Sequence, residues 1–413
     1  MNTNVSIITI GDELLIGQVI DTNSAWMAQE LNKWGIRVIR RVAVGDSWNE
    51  IWNALDEESK KAGIILITGG LGPTADDITK PLLCEYFGGK MVMNAEALEN
   101  VTCLFETVFK RPLTERNIKQ AEVPNNCTLI PNKRGTAPGM WFEKNGCIYV
   151  SLPGVPHEMK GMMENTVIPM VAERFQFPKI EHRTLVCYGI GEAMLADLTA
   201  DFESGLPPEI KLAYLPHDGM VRLRLSSYDV KNHNNLERTF QSLAKIVGPY
   251  LIATADQTME EILASLLNSK SQTVATAESC TGGYIAHLLS KNPGSSAYYA
   301  GSMVTYSYEA KEQLLGVNQS TLIEYGAVSE QVVKEMASGL LNRMKTDYAI
   351  AVSGILGPDG GLPDKPVGTV WMAAGDTKEI ITKKIHLRFN REKNTQVAAM
   401  HAMNLLRAYI LKH

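Results

Sequence analysis

The chain has 413 residues, 45% of them hydrophobic, and a formal net charge of −5. That length suits two to three domains with sizeable cores, and a mildly acidic balance without a basic stripe argues against direct nucleic-acid contact. No apolar run is long enough to span a bilayer, Met1-Asn2-Thr3-Asn4 is not signal-like, and the six cysteines show no CxxC or metal-type spacing, so a cytoplasmic protein with free thiols and no membrane partner is expected.

The first third alternates strand-like and helix-like segments. Val5 to Ile10 is a buried strand ending at Gly11, and Asn23 to Trp34 reads as a helix with Trp26, Met27, Leu31 and Trp34 on one face. Val38 to Val44 is a second strand, Trp48 to Lys61 a second helix, and Ile64 to Thr68 a third strand ending at Gly69-Gly70. Ile148 to Leu152 is another, ending at Pro153-Gly154. Short all-apolar strands separated by helices indicate a parallel sheet covered on both faces, and ligands bind such sheets beyond the C-terminal strand ends.

Three glycine- and acid-bearing loops fall at those ends. The first is Gly11-Asp12-Glu13-Leu14-Leu15-Ile16-Gly17, followed by Asp21-Thr22-Asn23; the second runs from Gly69 through Gly70, Gly72, Pro73, Thr74, Asp76 and Asp77 to Thr79; the third is Pro153-Gly154-Val155-Pro156-His157-Glu158-Met159. Backbone amides of a glycine-rich loop can cradle phosphate. Asp12, Glu13, Asp76 and Asp77 are candidate ligands of a divalent cation held against a pyrophosphate. For one loop alone, a tight turn with helix-capping acids explains the residues equally well. Three loops at three strand ends favour a ligand site.

Together these loops resemble the molybdopterin-binding fold shared with molybdenum-cofactor biosynthesis proteins. Residues 1–172 are similar to the version of it in the CinA (competence/damage-inducible protein A) family: Gly-Asp-Glu-Leu-Leu, Gly-Gly-Leu-Gly-Pro-Thr-x-Asp-Asp and Pro-Gly-Val-Pro-x-Glu-Met all stand intact. The resemblance implies an ADP-ribose pyrophosphatase that uses a divalent metal cation and yields AMP and ribose 5-phosphate. Its substrate-binding residues would include Asp21, Asn23, Gly69, Gly70, Gly72, Pro73 and Thr74.

Residues 173–252 read as a small α+β module. Thr184–Tyr188 and Val221–Tyr228 are expected strands, Glu192–Phe202 and Leu236–Val247 expected helices, and Pro207-Pro208 and Pro216-His217-Asp218-Gly219 expected turns. Gly189-Ile190-Gly191-Glu192 is not the GxxG loop of a KH domain, because residue 192 is Glu. A connector or dimer contact, similar to the linker domain of long CinA proteins, is the expected role.

A new αβ pattern runs from about residue 255 to the end. Thr273-Val274-Ala275 leads into Ala277-Glu278-Ser279-Cys280-Thr281-Gly282-Gly283-Tyr284, which precedes the helix-like Ile285 to Leu289. A serine between strand and helix suits nucleophilic catalysis once a base takes its proton. His287 would lie about two helical turns further on, so it is an unsuitable partner. A lysine whose pKa is lowered by burial can serve instead. Lys311 is the natural candidate, with Tyr306 as proton relay or orienting donor. Taken singly, Lys311 would more often be a solvated helix lysine. The amides near Thr281, Gly282 and Gly283 suit either an oxyanion or a nucleotide phosphate. Cys280 is the better intrinsic nucleophile but needs an electropositive, exposed setting.

The block 253–413 resembles the nicotinamide-nucleotide amidase (NMN deamidase) domain that forms the C-terminal half of CinA proteins. Further matching runs are Gly294-Ser295-Ser296, Val304 to Lys311, Gly326 to Ser329, Ser353 to Gly361 and Lys365 to Val370. The resemblance implies Ser279 as nucleophile, Lys311 as base, Tyr306 as assisting group and Ser296 as supporting serine. It implies hydrolysis of nicotinamide mononucleotide to nicotinate mononucleotide and ammonia, with no cofactor. It also implies a homodimer.

Two departures stand out. Leu356 replaces a common Ala, and Arg388-Phe389-Asn390-Arg391-Glu392 replaces a Gly-Asp-Arg run. Arg391 aligns with the family's phosphate-binding arginine, with Arg388 as competitor. The expected fold class is therefore α/β: a molybdopterin-binding-like parallel-sheet domain, a small α+β domain and a C-terminal α/β amidase domain. Two other functions stay open: a nucleotide- or pterin-binding module without turnover, and an interaction partner in DNA uptake or repair.

Overall fold

The computed structural model describes residues 3–74, 76–177, 180–217, 219–227 and 233–413. The chain divides into two compact units, residues 1–181 with 227–233, and residues 182–226 with 234–413. The expected turn residue Asp218 and the expected strand end Tyr228 lie outside the described residues.

In the first unit, β1 (Val5–Ile10), β2 (Val38–Val44), β3 (Ile64–Thr68), β6 (Thr128–Ile130), β7 (Gly139–Lys144) and β8 (Cys147–Leu152) form one sheet. Its order is β2-β1-β3-β8-β7-β6, and β4 (Met91–Met93) pairs separately with β5 (Glu122–Pro124). The first four strands of that order are parallel, while β7 and β6 add on antiparallel. The hairpin β7–β8 turns at Asn145-Gly146, both with positive φ.

Alternation along each strand assigns its side chains to two cores. Val5, Ile7, Ile64 and Leu66 meet Met27 and Leu31 of the helix Thr22–Lys33 and Met159 and Met162 of the helix Pro156–Met162. Ile8, Ile10, Ile65 and Ile67 meet Ile51 and Leu55 of the helix Trp48–Glu58 and Leu82 and Leu83 of the helix Thr79–Tyr86. Each fully buried aliphatic side chain contributes about 1.5–3 kcal/mol relative to exposure. Trp34 departs from the expected face. The helix ends at Lys33, so Trp34 falls on its C-cap and stays exposed.

The second unit contains two sheets. β9 (Glu181–Tyr188), β10 (Ile210–His217), β11 (Met220–Ser227) and β12 (Leu251–Ala253) make a small sheet in the order β10-β11-β9-β12. With the helices Glu192–Ser204 and His233–Ile246 this is a βαββαβ module. Val186 and Met220 of the module share a core with Leu406 and Tyr409 of the last helix, Arg391–Lys412, so the module shares apolar packing with the C-terminal part.

The other sheet has the order β14-β13-β15-β16-β17, with β13 (Val274–Glu278), β14 (Tyr299–Val304), β15 (Tyr348–Gly354), β16 (Thr369–Gly375) and β17 (Ile380–His386). β14, β13 and β15 are parallel; β16 and β17 are antiparallel additions. On one face the helix Glu330–Met344 brings Val333, Met336, Ala337 and Leu340 onto Ala275, Ala277, Ala349 and Ala351, small residues that let the helix approach closely. On the other lie the helices Met259–Lys270, Tyr284–Ser290 and Arg391–Lys412.

Candidate functional site: a buried serine–lysine pair

Ser279 follows the last residue of β13, between strand and helix, and its amide donates to Val352 O of β15 at 3.0 Å. Gly282 and Gly283 adopt φ of 60° and 97°, which lets the chain reverse into the helix Tyr284–Ser290. Lys311 comes from the helix Tyr308–Leu315, which Ser307 caps by accepting from the Ala310 amide at 3.1 Å. The lysine is 0% exposed. Its Nζ donates to Ser279 Oγ at 3.0 Å, Thr305 O at 2.7 Å and Tyr306 O at 3.1 Å. Burial pushes its pKa down to about 8. Two residues distant in sequence thus form a hydrogen-bonded, buried serine–lysine pair. The Cys280 thiol, by contrast, is pushed up to about 12 by burial, so it stays protonated near neutral pH.

Several expected site residues sit differently. The Tyr306 side chain is 63% exposed and its hydroxyl accepts from Arg391 Nη2 at 3.1 Å; it is the Tyr306 carbonyl, not the phenol, that meets Lys311. Ser296 is exposed on the short turn Ser295–Ala297 that precedes β14. β14 runs parallel to β13, so Ser296 stands at the amino ends of the strands while Ser279 stands at a carboxyl end. The topology separates them. The Gly282 and Gly283 amides are also not free for a ligand. Gly282 donates to Ser279 O at 3.1 Å and Gly283 to Glu278 Oε2 at 3.0 Å. Among the described residues, the Thr281 amide carries no intramolecular hydrogen bond, whereas the Cys280 amide interacts with its own thiol.

Glu278 is the residue that reading the sequence missed. Fully buried, it accepts from Thr276 Oγ1 (3.2 Å), Thr281 Oγ1 (2.7 Å), Gly283 N (3.0 Å), Ile285 N (3.1 Å) and Ala286 N (2.8 Å). A carboxylate from the strand end thereby satisfies the orphan amides of the helix that follows. The available signal was an acid closing an otherwise apolar strand.

Arg391 opens the last helix. Its Nη1 donates to Gly357 O at 2.7 Å and its Nη2 to the Tyr306 hydroxyl, which brings the guanidinium to the serine–lysine neighbourhood. Arg388 is exposed. Asn394, also missed, holds the adjoining loop: its Nδ2 donates to Leu356 O at 3.0 Å and Phe389 O at 2.8 Å. The Leu356 side chain itself packs into the core, so the substitution leaves the site unobstructed.

In the first unit, the three loops converge on a cavity of about 390 Å³ lined by Gly11, Glu13, Gly69, Gly70, Asp76 and Glu158 among others. Only glycine fits at 69 and 70: a Cβ would lie 2.3 Å from Ile10 O and 2.1 Å from Thr79 Oγ1 respectively. Gly72, Pro73 and Asp77 line it as well, whereas Thr74 lines the adjoining cleft. Asp21 and Asn23 are not among the residues lining this cavity. Asp21 caps the helix Thr22–Lys33 through Ser24, and Asn23 Nδ2 donates to Gly154 O at 2.7 Å.

The expected cation set of Asp12, Glu13, Asp76 and Asp77 is not assembled: among the described residues no three His, Cys, Asp or Glu side chains form a metal site. Asp77 accepts from Gly72 N and Thr74 N, both at 2.8 Å, and from the Thr74 hydroxyl, so it clasps its own loop. Asp12 Oδ1 accepts from Asp46 N and Asp46 Oδ2 from Asp12 N, each at 3.1 Å. Burial and the neighbouring Asp12, Glu13 and Asp76 raise the Asp46 pKa, and burial raises that of Glu158. Backbone amides donate to Asp12, Asp46 and Asp77, and Asn132 Nδ2 donates to Glu158 Oε2 at 2.6 Å.

These features define a mixed α/β protein with a strand-end cavity in its first unit and a buried serine–lysine pair in its second. Residues 6–173 match the family model of a probable molybdopterin binding domain, residues 182–253 that of the damage-inducible protein CinA KH domain, and residues 256–410 that of the CinA C-terminal domain. A CinA-like protein of Cytophaga hutchinsonii is 45% identical over 413 residues, covering 98% of each chain. One from Flavobacterium psychrophilum is 43% identical over 412 residues, covering 99% of each. A solved competence-damaged protein (CinA) superfamily structure from Klebsiella pneumoniae is 36% identical and covers 38% of this chain and 100% of its own, with a TM-score of 0.37. The chain belongs to the CinA family. Within the KH-type match, Glu192 stands where a GxxG loop has its second glycine. No helix among the described residues is long and apolar enough to cross a membrane.

Proposed function

We propose that the C-terminal domain is a serine amidase that hydrolyses the carboxamide of nicotinamide mononucleotide, giving nicotinate mononucleotide and ammonia. The observation that carries this reading is the 3.0 Å contact between a fully buried Lys311 Nζ and Ser279 Oγ. Neutral Lys311 takes the proton of Ser279 as Oγ attacks the amide carbon. The Thr281 amide, which has no partner among the described residues, is the candidate donor to the developing oxyanion. Protonated Lys311 returns the proton to the departing ammonia, and a water molecule then releases the acyl group by the same steps in reverse. Arg391, beside Tyr306, supplies a cation for the nucleotide phosphate.

The test is ammonia release from nicotinamide mononucleotide by the purified protein. Stoichiometric ammonia and nicotinate mononucleotide are expected; a folded protein that releases neither overturns the reading. The pH profile tests the base separately. A lysine works as a base only when neutral, that is above its pKa, so kcat/KM should rise about tenfold per pH unit below a pKa of about 8 and level off above it. A profile that falls with rising pH through that region excludes Lys311 as the base.

A second reading concerns the N-terminal cavity. Its lining by all three family loops supports ADP-ribose as ligand, cleaved to AMP and ribose 5-phosphate. Among the described residues no group of three His, Cys, Asp or Glu side chains is placed to hold a cation for that cleavage. Asp77→Asn unclasps the Gly72–Thr74 loop and should lower ADP-ribose turnover at least about tenfold while leaving ammonia release intact. Measured AMP formation decides: none from the wild type, with ADP-ribose still bound, would make the domain a binding module.

A further inference from the structure

The N-terminal cavity has a neighbour of opposite charge. Across the Gly72-Pro73 turn lies a second cleft of about 410 Å³, sharing Gly72, Pro73, Asp77 and Gln120 with the first. The charged residues lining the first cavity are all acidic: Glu13, Asp46, Asp76, Asp77 and Glu158. The second is lined by Lys80, Arg116 and Lys119. Its two acids are Asp77, whose oxygens are spent on Gly72 and Thr74, and the exposed Glu115.

Lys80 is the unusual member. It is 8% exposed, and its described hydrogen bond is from Nζ to Gln120 O at 2.8 Å. An ammonium has three donors, and Lys80 makes no ion pair among the described residues, although the Glu122 and Asp77 carboxylates lie near enough to favour its charge. Arg116 and Lys119 have no ion-pair partner among the described residues. They lie on the helix Glu115–Lys119, next to Gln120. Three cations therefore face one cleft with donors to spare, beside a loop of small residues that lets a ligand approach.

We propose that this second cleft is an anion site, held by Lys80, Arg116 and Lys119, that takes the diphosphate of a nucleotide ligand, while the carboxylates of the first cavity accept hydrogen bonds from its sugar hydroxyls. The proposal rests on the reading of the N-terminal domain as a nucleotide site. Like charge bars a diphosphate from the acidic half, and matching charge admits it to the basic half. The anion is neutralised by side chains, so its binding needs no cation. Burial also draws the Lys80 pKa down to about 8, and a seated anion would raise it again.

Calorimetric titration of the full chain in EDTA, with ADP-ribose and separately with inorganic pyrophosphate, tests this. Both should bind the wild type. The double variant Arg116→Ala/Lys119→Ala, at exposed positions that leave the core intact, should bind each at least about tenfold more weakly and with a shallower salt dependence. Lys80→Met should weaken both further. Wild-type pyrophosphate binding that vanishes in EDTA, never occurs, or is unchanged in the double variant overturns the anion site. Pyrophosphate binding that depends on Arg116 and Lys119 while ADP-ribose fails to bind would retain the anion site and remove ADP-ribose as its ligand.

Discussion

Replacing Ser279 by Ala is expected to lower ammonia release from nicotinamide mononucleotide by about 10⁴-fold or more, with substrate binding and fold preserved. In the proposed mechanism the hydroxyl supplies the attacking oxygen, and side chains acting as one catalytic unit each cost that order when removed alone. Lys311→Met should be comparably damaging, because Ser279 Oγ hydrogen-bonds to that Nζ at 3.0 Å and a serine hydroxyl is a weak nucleophile without a base. The double variant Ser279→Ala/Lys311→Met should be no slower than either single one. Multiplicative losses would show that the two act independently, and undiminished turnover by folded Ser279→Ala would remove the serine from the chemistry. Lys311 also lends two donors to the Thr305 and Tyr306 carbonyls, so its variant needs a melting curve beside the assay.

Glu278→Ala should destabilise the second unit more than any surface change. The carboxylate takes five donors, three of them backbone amides at the start of the helix Tyr284–Ser290. Leaving buried donors without acceptors costs about 1–3 kcal/mol each, offset in part by water entering the space, so a net loss of about 3–5 kcal/mol is expected. In a domain of this size that lowers the melting transition by about 10 °C. Glu278→Gln keeps one carbonyl oxygen but turns an NH₂ toward donors. It should remain folded and lose about 10- to 100-fold in turnover as the Ser279 turn shifts. A Glu278→Ala protein that melts within about 1 °C of wild type would show that the helix start does not depend on the carboxylate.

The parts of this protein fixed by local physics were legible in the chain. β1, β3 and β13 are short apolar runs ending at glycine or serine, and their period and punctuation define strands and the turns after them. Ser279 on such a turn and a lysine on the helix that Ser307 caps could be named from residue type and spacing. Long-range arrangement decided the rest. The order β14-β13-β15 places Ser279 and Ser296 at opposite ends of parallel strands, although they are close in sequence. Asp76 and Asp77 read as cation ligands because acids beside a glycine loop invite that reading, yet Asp77 closes its own loop and Asp12 exchanges hydrogen bonds with Asp46. Glu278 and Lys80 gain their roles from burial, and burial is settled by which helix covers a strand end. Sequence alone determined which chemistry-bearing groups stand at strand ends; only the packed structure decided which donors and acceptors remain free there, because each hydrogen bond made inside the fold removes a group from the ligand's reach.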